Sequence, residues 1–513
     1  HHAETHTMSA PTHDLGTVHG GLRLPAHKGD ATAGPILDVP VPAQLVVPLD
    51  QHAGAPGQPV VGVGAQVLKG QRIAMPEGGM GVPVHAPSSG TVVAIEPRPV
   101  ARRMGELAPC VVIECDGEDQ AYAGPGQPLA KDIAPGDLLS RILDGGIVGL
   151  GGAAFPTAQK LMQARSSNVE CLVLNGVECE PYISCDDVLM RERAKQTISG
   201  ARILMDALQV DTCQIAVESD KPEAVKRLEE ALNEIADERI RIRQIPTVYP
   251  SGAEDQLVQL LTGFEVPSGG LPTDVGCLVQ NVGTAAAVHD WIIEGQPLIS
   301  RITTVTGDGV AAPVNVRARI GTTFGDVIEA AGGYRGEPHF LIVGGPMTGK
   351  SITTDEVPID KTSNCILALA DTPSRGPEMP CIRCGDCAAV CPVQLLPQQL
   401  LWFSRADDEA KMREFGLLDC IECGCCDLVC PSHIALTSGF RRAKRRIREL
   451  ADEKSRAERA RRRFEARNER LAREQQERDA ELARQKKTAK AAGPDAIAAI
   501  LARKRGKNED GST

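Results

Sequence analysis

The chain has 513 residues, a formal net charge of -11, 42 % apolar residues and 17 cysteines. That length predicts three or four domains, each able to bury its own core, and no uninterrupted apolar run approaches the roughly 18–20 residues that span a bilayer. With no secretory signal in view, the cysteines read as free thiols of a reducing compartment, which excludes a disulfide scaffold. The charge is uneven. Residues 441–513 hold 24 basic and 13 acidic side chains, so a basic tail follows an acidic body, a pattern that suits docking. The tail's one aromatic, Phe464, makes no stacking platform for bases. No nucleic-acid partner is expected.

His1–Thr7 precede the first methionine, Met8, and are set aside as foreign to the fold. Residues 1–37 are rich in Gly, Pro and His and predict an irregular N-terminal extension, ordered by packing on later domains. From 38 to 125 short β-segments alternate with turn residues. Gln66–Ala74 and Val84–Ile95 carry V-L-K-G-Q-R-I-A and A-P-S-S-G-T-V-V-A-I, which resemble the barrel-sandwich of biotinyl and lipoyl carrier domains. Carriers need an exposed lysine at a hairpin tip. Here the tip reads Glu77-Gly78-Gly79-Met80-Gly81, which predicts a packing or docking module without a prosthetic arm.

From 126 to 300 strands and helices alternate, predicting a mostly parallel sheet with ligands at the strand C-terminal ends. Strands are expected over Cys171–Asn175, Gln214–Glu218 and Arg239–Thr247. One amphipathic helix is expected over Arg191–Leu208 and another over Lys221–Asp237, capped by Ser219 or Asp220. The Gly-rich stretch Gly149-Leu150-Gly151-Gly152-Ala153-Ala154-Phe155-Pro156-Thr157 opens a helix that carries Lys160. Its backbone N–H groups and Lys160 suit a phosphate, although it is neither a dinucleotide fingerprint nor a Walker loop. A plain Gly-rich turn stays equally open. Residues 301–368 predict strand, strand, helix, strand, a small β-grasp module without visible ligand chemistry, read as a rigid spacer.

Residues 369–440 hold the most specific signal. Cys381-x2-Cys384-x2-Cys387-x3-Cys391-Pro392 is followed by Cys420-x2-Cys423-x2-Cys426-x3-Cys430-Pro431. This is the twin run of two-cluster ferredoxins, in which three thiolates of one run bind one cubane and the fourth binds the partner cluster. Cys381, Cys384, Cys387 and Cys430 are therefore assigned to one [4Fe–4S] cluster, and Cys420, Cys423, Cys426 and Cys391 to the other. Zinc needs four ligands in C-x2-C pairs and does not fit a third cysteine repeated in both halves. The ninth cysteine here, Cys425, reads as a small buried residue. Beyond it, residues 441–490 are helical by propensity and polar all round, predicting either an extended salt-bridged helix or a disordered segment. Asp495–Arg505, with Ile497, Ile500 and Leu501, forms a short apolar-basic patch suited to anionic lipid or an acidic partner.

The Gly-rich loop, Asn175-x2-Glu178-x-Glu180-Pro181, Tyr249–Glu254 and Val279-Gln280-Asn281-Val282-Gly283-Thr284 occur in order. Together with the twin motif they resemble the FMN- and NADH-binding flavoprotein subunit of respiratory complex I. They are more similar still to the C subunits of Rnf ion-translocating ferredoxin:NAD oxidoreductases, over roughly residues 20–440. The resemblance implies noncovalent FMN, two [4Fe–4S] clusters and NAD(H) as substrate. It implies that Gly149, Gly151, Gly152 and Lys160 wrap the FMN phosphate, and that Asn175, Glu178, Gly252, Glu254, Gln280 and Asn281 line the flavin. Phe155 would flank the NADH adenine and Glu180 its nicotinamide end. The chain departs from the complex I pattern at Leu150, Ala154, Val177, Ala253 and Gly283.

The expected fold class is thus multidomain α+β and α/β: barrel-sandwich, α/β flavin domain, β-grasp module, helical two-[4Fe–4S] ferredoxin-like domain and charged tail. The implied function is a peripheral electron-transfer subunit at the cytoplasmic face of a bacterial inner membrane, partnered by membrane-embedded and iron–sulfur subunits and, indirectly, by ferredoxin or flavodoxin. No catalytic acid or base is required, since the residues position cofactors. Two alternatives stay open: an iron–sulfur adaptor without nucleotide activity, suggested by Val177 and Ala253, and a soluble reductase such as a cobalamin reductase.

Overall fold

The computed structural model describes residues 15–502 except 17, 104, 124–132, 337–339, 373–375, 492, 496 and 497. His1–Thr7, with Ile497 and Arg503–Arg505 of the apolar-basic patch, lie outside the described residues. The chain divides into two compact units, 1–440 and 441–513.

In the first unit, strands Ile240–Ile245, Cys213–Glu218, Cys171–Gly176 and Cys277–Asn281 lie side by side in that order, all parallel. The central strands are buried at nearly every residue, as expected where both faces are covered. The chain runs outward from Cys171–Gly176 to Ile240–Ile245, then returns to add Cys277–Asn281 on the opposite side. The strand order thus reverses beside Cys171–Gly176, which opens a crevice at the strand C-terminal ends. Asn175 and Asn281 are register partners at that crevice.

Two local expectations need correction. The helix expected over 191–208 is two helices, Cys185–Glu192 and Ala194–Leu208. The break falls at Arg193 (φ -126°, ψ 33°), whose guanidinium makes a two-pronged bond to Asp290 at 3.0 and 2.6 Å. Helix Pro222–Ile235 has Lys221 at its N-cap and no side-chain cap. Ser219 and Asp220 do not cap it because the buried Lys221 ammonium pairs with Glu218 and with Asp220.

Ahead of this sheet, strands Gln44–Pro48, Leu107–Cys115, Gly90–Pro99 and Gln66–Val67 form one layer of the barrel-sandwich. Gly57–Pro59, Arg72–Pro76 and Val84–His85 form the other. Leu45, Val47, Ile73, Val92, Val111 and Ile113 alternate inward to fill it. Gly90 admits no side chain, since a Cβ there would sit 2.1 Å from the Glu114 carbonyl oxygen.

The β-grasp sheet is larger than expected. To strands Ser300–Thr306, Val314–Arg319 and Phe340–Val343 it adds Cys365–Leu369, Lys350–Ile352 and, at one edge, Leu37–Asp38. Helix Phe324–Ala330 packs Phe324, Val327 and Ile328 onto it. The N-terminal extension is threaded through the unit: Gly16 bonds Leu260, Gly21 bonds Val390, and Leu22 exchanges bonds with Tyr249.

The twin-cysteine region repeats its backbone with an offset of 39 residues. Arg383 and Glu422 share φ 58°, Gly385 and Gly424 have φ 90° and 79°, and Gln394 and His433 have φ 53° and 54°. Short helices Asp386–Ala389 and Cys425–Leu428 follow at the same offset.

The second unit carries most of helix Leu436–Ala491, 56 residues long. Of the two readings, helix or disorder, the structure takes the helix. Arg, Glu and Ala favour it, and pairs such as Arg461–Glu465 at 3.3 Å run along its exposed surface.

Where the barrel-sandwich, flavin domain and β-grasp meet, Lys361 is fully buried and donates to Gly146 O at 2.7 Å and Pro83 O at 3.3 Å. Burial lowers its pKa to about 7. An unfolded lysine titrates near ~10.4, so the unfolded state binds more protons between the two values and stability must rise with pH across that window. Below about pH 7 both states are protonated and the penalty is constant. The expected outcome is that the melting temperature of the native chain, minus that of Lys361→Met, climbs from pH 7 to 9.5. Each pH unit adds up to about 1.4 kcal/mol. A difference that stays flat with pH would mean that the buried amine titrates as an ordinary lysine.

Candidate functional site

The crevice at the strand ends opens into a cleft of about 700 Å³, within the usual range for a small-molecule site. Its floor is built by turns after buried strands. Asn175 receives a bond from Val177 N (3.0 Å) and donates to Gly252 O (2.9 Å), joining two loops. Gly252 must be glycine, since a Cβ there would meet Val177 O at 2.6 Å. Asn281 caps helix Val282–Glu294 by accepting from Gly283 N at 2.8 Å, and its amide donates to Asp186 at 2.6 Å.

Glu178 is buried and accepts from Asp186 N at 2.9 Å and Asp187 N at 3.3 Å, at the N-terminus of helix Cys185–Glu192. Burial pushes the Glu178 and Asp186 carboxyl groups up; Lys28 opposes this at Glu178, and Arg301 at Asp186. Glu180 turns to the β-grasp module. It accepts from Met347 N (2.9 Å), Thr348 N (2.8 Å) and Thr348 Oγ1 (2.5 Å).

Of the residues expected at the flavin, Gly151, Gly152, Asn175, Glu178, Glu180, Gly252 and Asn281 line the cleft. Gly149, Phe155, Lys160, Glu254 and Gln280 do not. Gly149 N instead closes the Gly-rich loop on Phe155 O at 2.8 Å. The Lys160 ammonium donates to Glu254 (2.7 Å) and Val279 O (2.8 Å), bracing two helices and the sheet. Gln280 is buried, its Nε2 without a partner among the described residues.

The spacer reading of the β-grasp module is also corrected. Val343–Lys350, apart from Pro346 and Met347, lines the cleft, as do Thr362 and Asn364. Gly345 packs so tightly on Glu180 that a Cβ would lie 2.5 Å from its Cγ. Sequence reasoning missed this loop, Arg102, Asp186 and Arg301. Asp186 could have been found, since it closes the same segment as Glu178 and Glu180. Arg301 carries no local signal.

Several observations fit a bound flavin. Asp186 Oδ1 and Arg301 Nε are shielded yet lack hydrogen-bond partners among the described residues. Gly152, with φ 128°, leaves open space where a Cβ would stand. The N-terminus of helix Val282–Glu294 adds a positive dipole end at the crevice.

The cysteines gather as two sets. Cys381, Cys384, Cys387 and Cys430 line one hollow with Leu401, Ile434 and Leu436. Cys391 lies within electrostatic reach of Cys423, and Cys426 within reach of Cys420 and Cys423. All are free thiols, and each loop holds left-handed residues, a conformation found in the backbone nests that bind anions. Four thiols per set match a cubane's donor requirement. Cys425 is fully buried, as expected. The second set borders the cleft: Ile421 and Cys423 line it, and Tyr249 Oη donates to Cys423 O at 2.6 Å.

A flavin-sized cleft walled by the loop of a cubane site defines a flavin and iron–sulfur electron-transfer protein. Family models match in the same places: an RnfC barrel-sandwich hybrid domain at 16–118, a Nuo51 FMN-binding domain at 142–290, an SLBB domain at 302–351 and a 4Fe-4S dicluster domain at 380–434. The C subunit of the ion-translocating oxidoreductase complex of Yersinia pestis bv. Antiqua is 45 % identical over 466 residues, covering 90 % of this chain and 74 % of that protein. The chain belongs to this family of C subunits. The Pseudomonas aeruginosa relative is 50 % identical over 450 residues, 87 % of this chain and 58 % of that one. The Cronobacter sakazakii relative is 44 % identical over 493, 96 % and 63 %. The chain therefore spans about three fifths of the length of these two. A solved NAD+-reducing [NiFe]-hydrogenase aligns over 62 % of this chain and 61 % of its own at 21 % identity, with a TM-score of 0.45. Among the described residues, no helix is long and apolar enough to cross a membrane.

The grouping of thiols makes a ligation prediction. Cys391→Ala should abolish the cluster held mainly by the second motif, and Cys430→Ala that of the first, each removing about half the iron. Electron paramagnetic resonance of the reduced variants reads this directly, and the opposite pairing of losses would refute cross-ligation.

Proposed function

We propose that the chain is an electron-transfer subunit of an ion-translocating oxidoreductase complex, passing electrons between NAD(H) and a partner iron–sulfur subunit. Gly151, Gly152, Asn175, Glu178, Gly252 and Asn281 would hold FMN, with Asp186 and Arg301 as added polar contacts. Cys381, Cys384, Cys387 and Cys430 would hold one [4Fe–4S] cluster, and Cys420, Cys423, Cys426 and Cys391 the other. When bound, FMN exchanges electron pairs with a nicotinamide and single electrons with cubane clusters. The observation that carries the reading is the shared wall: Ile421 and Cys423 line the same cleft as Gly151 and Asn281, and Tyr249 ties that wall to the floor.

This wall also sets an order. The Cys423 set would be the inner station and the Cys384 set the outer one, with exposed Met379 and Ile382 at the exit face. Buried Glu178 and half-buried Asp186 would hold the loops that orient the flavin. The partners would be the membrane-embedded and iron–sulfur subunits of one complex. Docking at the cytoplasmic side of the membrane would draw on the basic helix, which suits anionic lipid or an acidic surface.

Chain purified without oxygen should contain noncovalent FMN and about eight irons. Added NADH should bleach the flavin absorbance and then reduce the clusters. Full iron with no flavin, or flavin that NADH leaves unbleached, would favour the adaptor reading instead.

A further inference from the structure

Among the described residues, three cations line the cleft: Arg102, Arg301 and Lys350. Arg301 is buried, and its Nη2 donates to Leu150 O at 2.7 Å beneath the Gly-rich loop. Lys160 is held by Glu254 and Val279, away from the cleft. Two cations remain, neither of them from the flavin domain. Arg102 comes from the barrel-sandwich, where its Nε stands 3.5 Å from Asp50. Lys350 begins the second strand of the β-grasp hairpin, opposite Val343. It is exposed and makes no ion pair among the described residues.

The flavin-domain side of the cleft has the opposite character. Glu178, Glu180 and Asp186 stand there, and the cations that line the cleft come from the other modules. A nicotinamide dinucleotide carries a dianion midway along its length. We propose that Arg102 and Lys350 form the pyrophosphate subsite for the dinucleotide, supplied by the two modules outside the flavin domain. The inference rests on NAD(H) being the substrate of this cleft.

Glu180 makes the subsite possible. By binding Met347 and Thr348, it fixes the hairpin loop that ends at Lys350. Gly344, with φ 91°, and Gly345 let that loop fold against the carboxylate without a side chain in the way. Glu180 is thus a positioning residue for the cation rather than a ligand of it.

The test uses the full chain loaded with flavin and clusters, and ADP-ribose, which has the pyrophosphate but no nicotinamide. Calorimetry gives its Kd for the native chain, Arg102→Ala, Lys350→Ala and Lys350→Arg. Loss of one charge-assisted contact should weaken binding roughly tenfold in each alanine variant. Lys350→Arg should stay close to native, and the native affinity should fall with salt more steeply than that of the alanine variants. FMN content should be unchanged throughout. Native-like affinity in both alanine variants would overturn the subsite while leaving the NAD(H) reading intact. Loss of FMN from them would also overturn it, because the cations would then serve the flavin phosphate. If the native chain neither binds ADP-ribose nor is bleached by NADH, the nucleotide reading itself fails.

Discussion

The Glu180 carboxylate is the contact on which the shape of the cleft depends. Three donors of one hairpin loop converge on it, and bonds to a charged acceptor are about twice as strong as neutral ones. Glu180 lies four residues past the end of the central parallel strand, and the loop lies at one edge of the β-grasp sheet. The bonds therefore join two modules whose strands share no ladder. They set the hairpin loop that ends at Lys350 against the flavin-domain wall of the crevice.

A comparable economy governs the opposite wall. Tyr249 is buried, bonds the second cysteine loop through its hydroxyl, and exchanges backbone bonds with Leu22 of the N-terminal extension. Electron transfer needs short gaps held constant, and buried hydrogen bonds with no water to compete are suited to that task. The 39-residue backbone repeat then places a second site beyond the first. The extension, irregular in itself, takes its order from the partners it bonds: Leu260, Tyr249 and Val390.

Legibility followed the range of the interactions. The twin cysteine runs could be read because cluster ligation is largely local, with three donors inside seven residues, and even the cross-over of the fourth follows from motif chemistry. Asn175, Glu178 and Asn281, expected at the flavin from the resemblance, all lie at the cleft, Asn175 and Asn281 at the ends of neighbouring strands. The Lys160 contact to Glu254 could not be read, since its partner lies nearly a hundred residues on. The helix break at Arg193 was hidden for the same reason: Asp290, which holds it, is remote in the chain. The β-grasp loop 344–349 is Gly-rich and looks like a plain turn until Glu180 is seen against it.

The sequence by itself determined the kinds of chemistry present: eight thiols in two ligand sets, a Gly-rich loop ahead of a parallel sheet, a β-grasp module and a basic helical tail. Periodicity and ligand spacing are properties of neighbours, so they survive in one dimension. Only the tertiary structure decided which groups share a space. Cleft walls come from all four modules of the first unit, and the charge on each wall reflects which acids and cations are already engaged elsewhere. Such engagement depends on distances across the fold, which is why the inner cluster and the cations of the outer wall emerged only once the chain was folded.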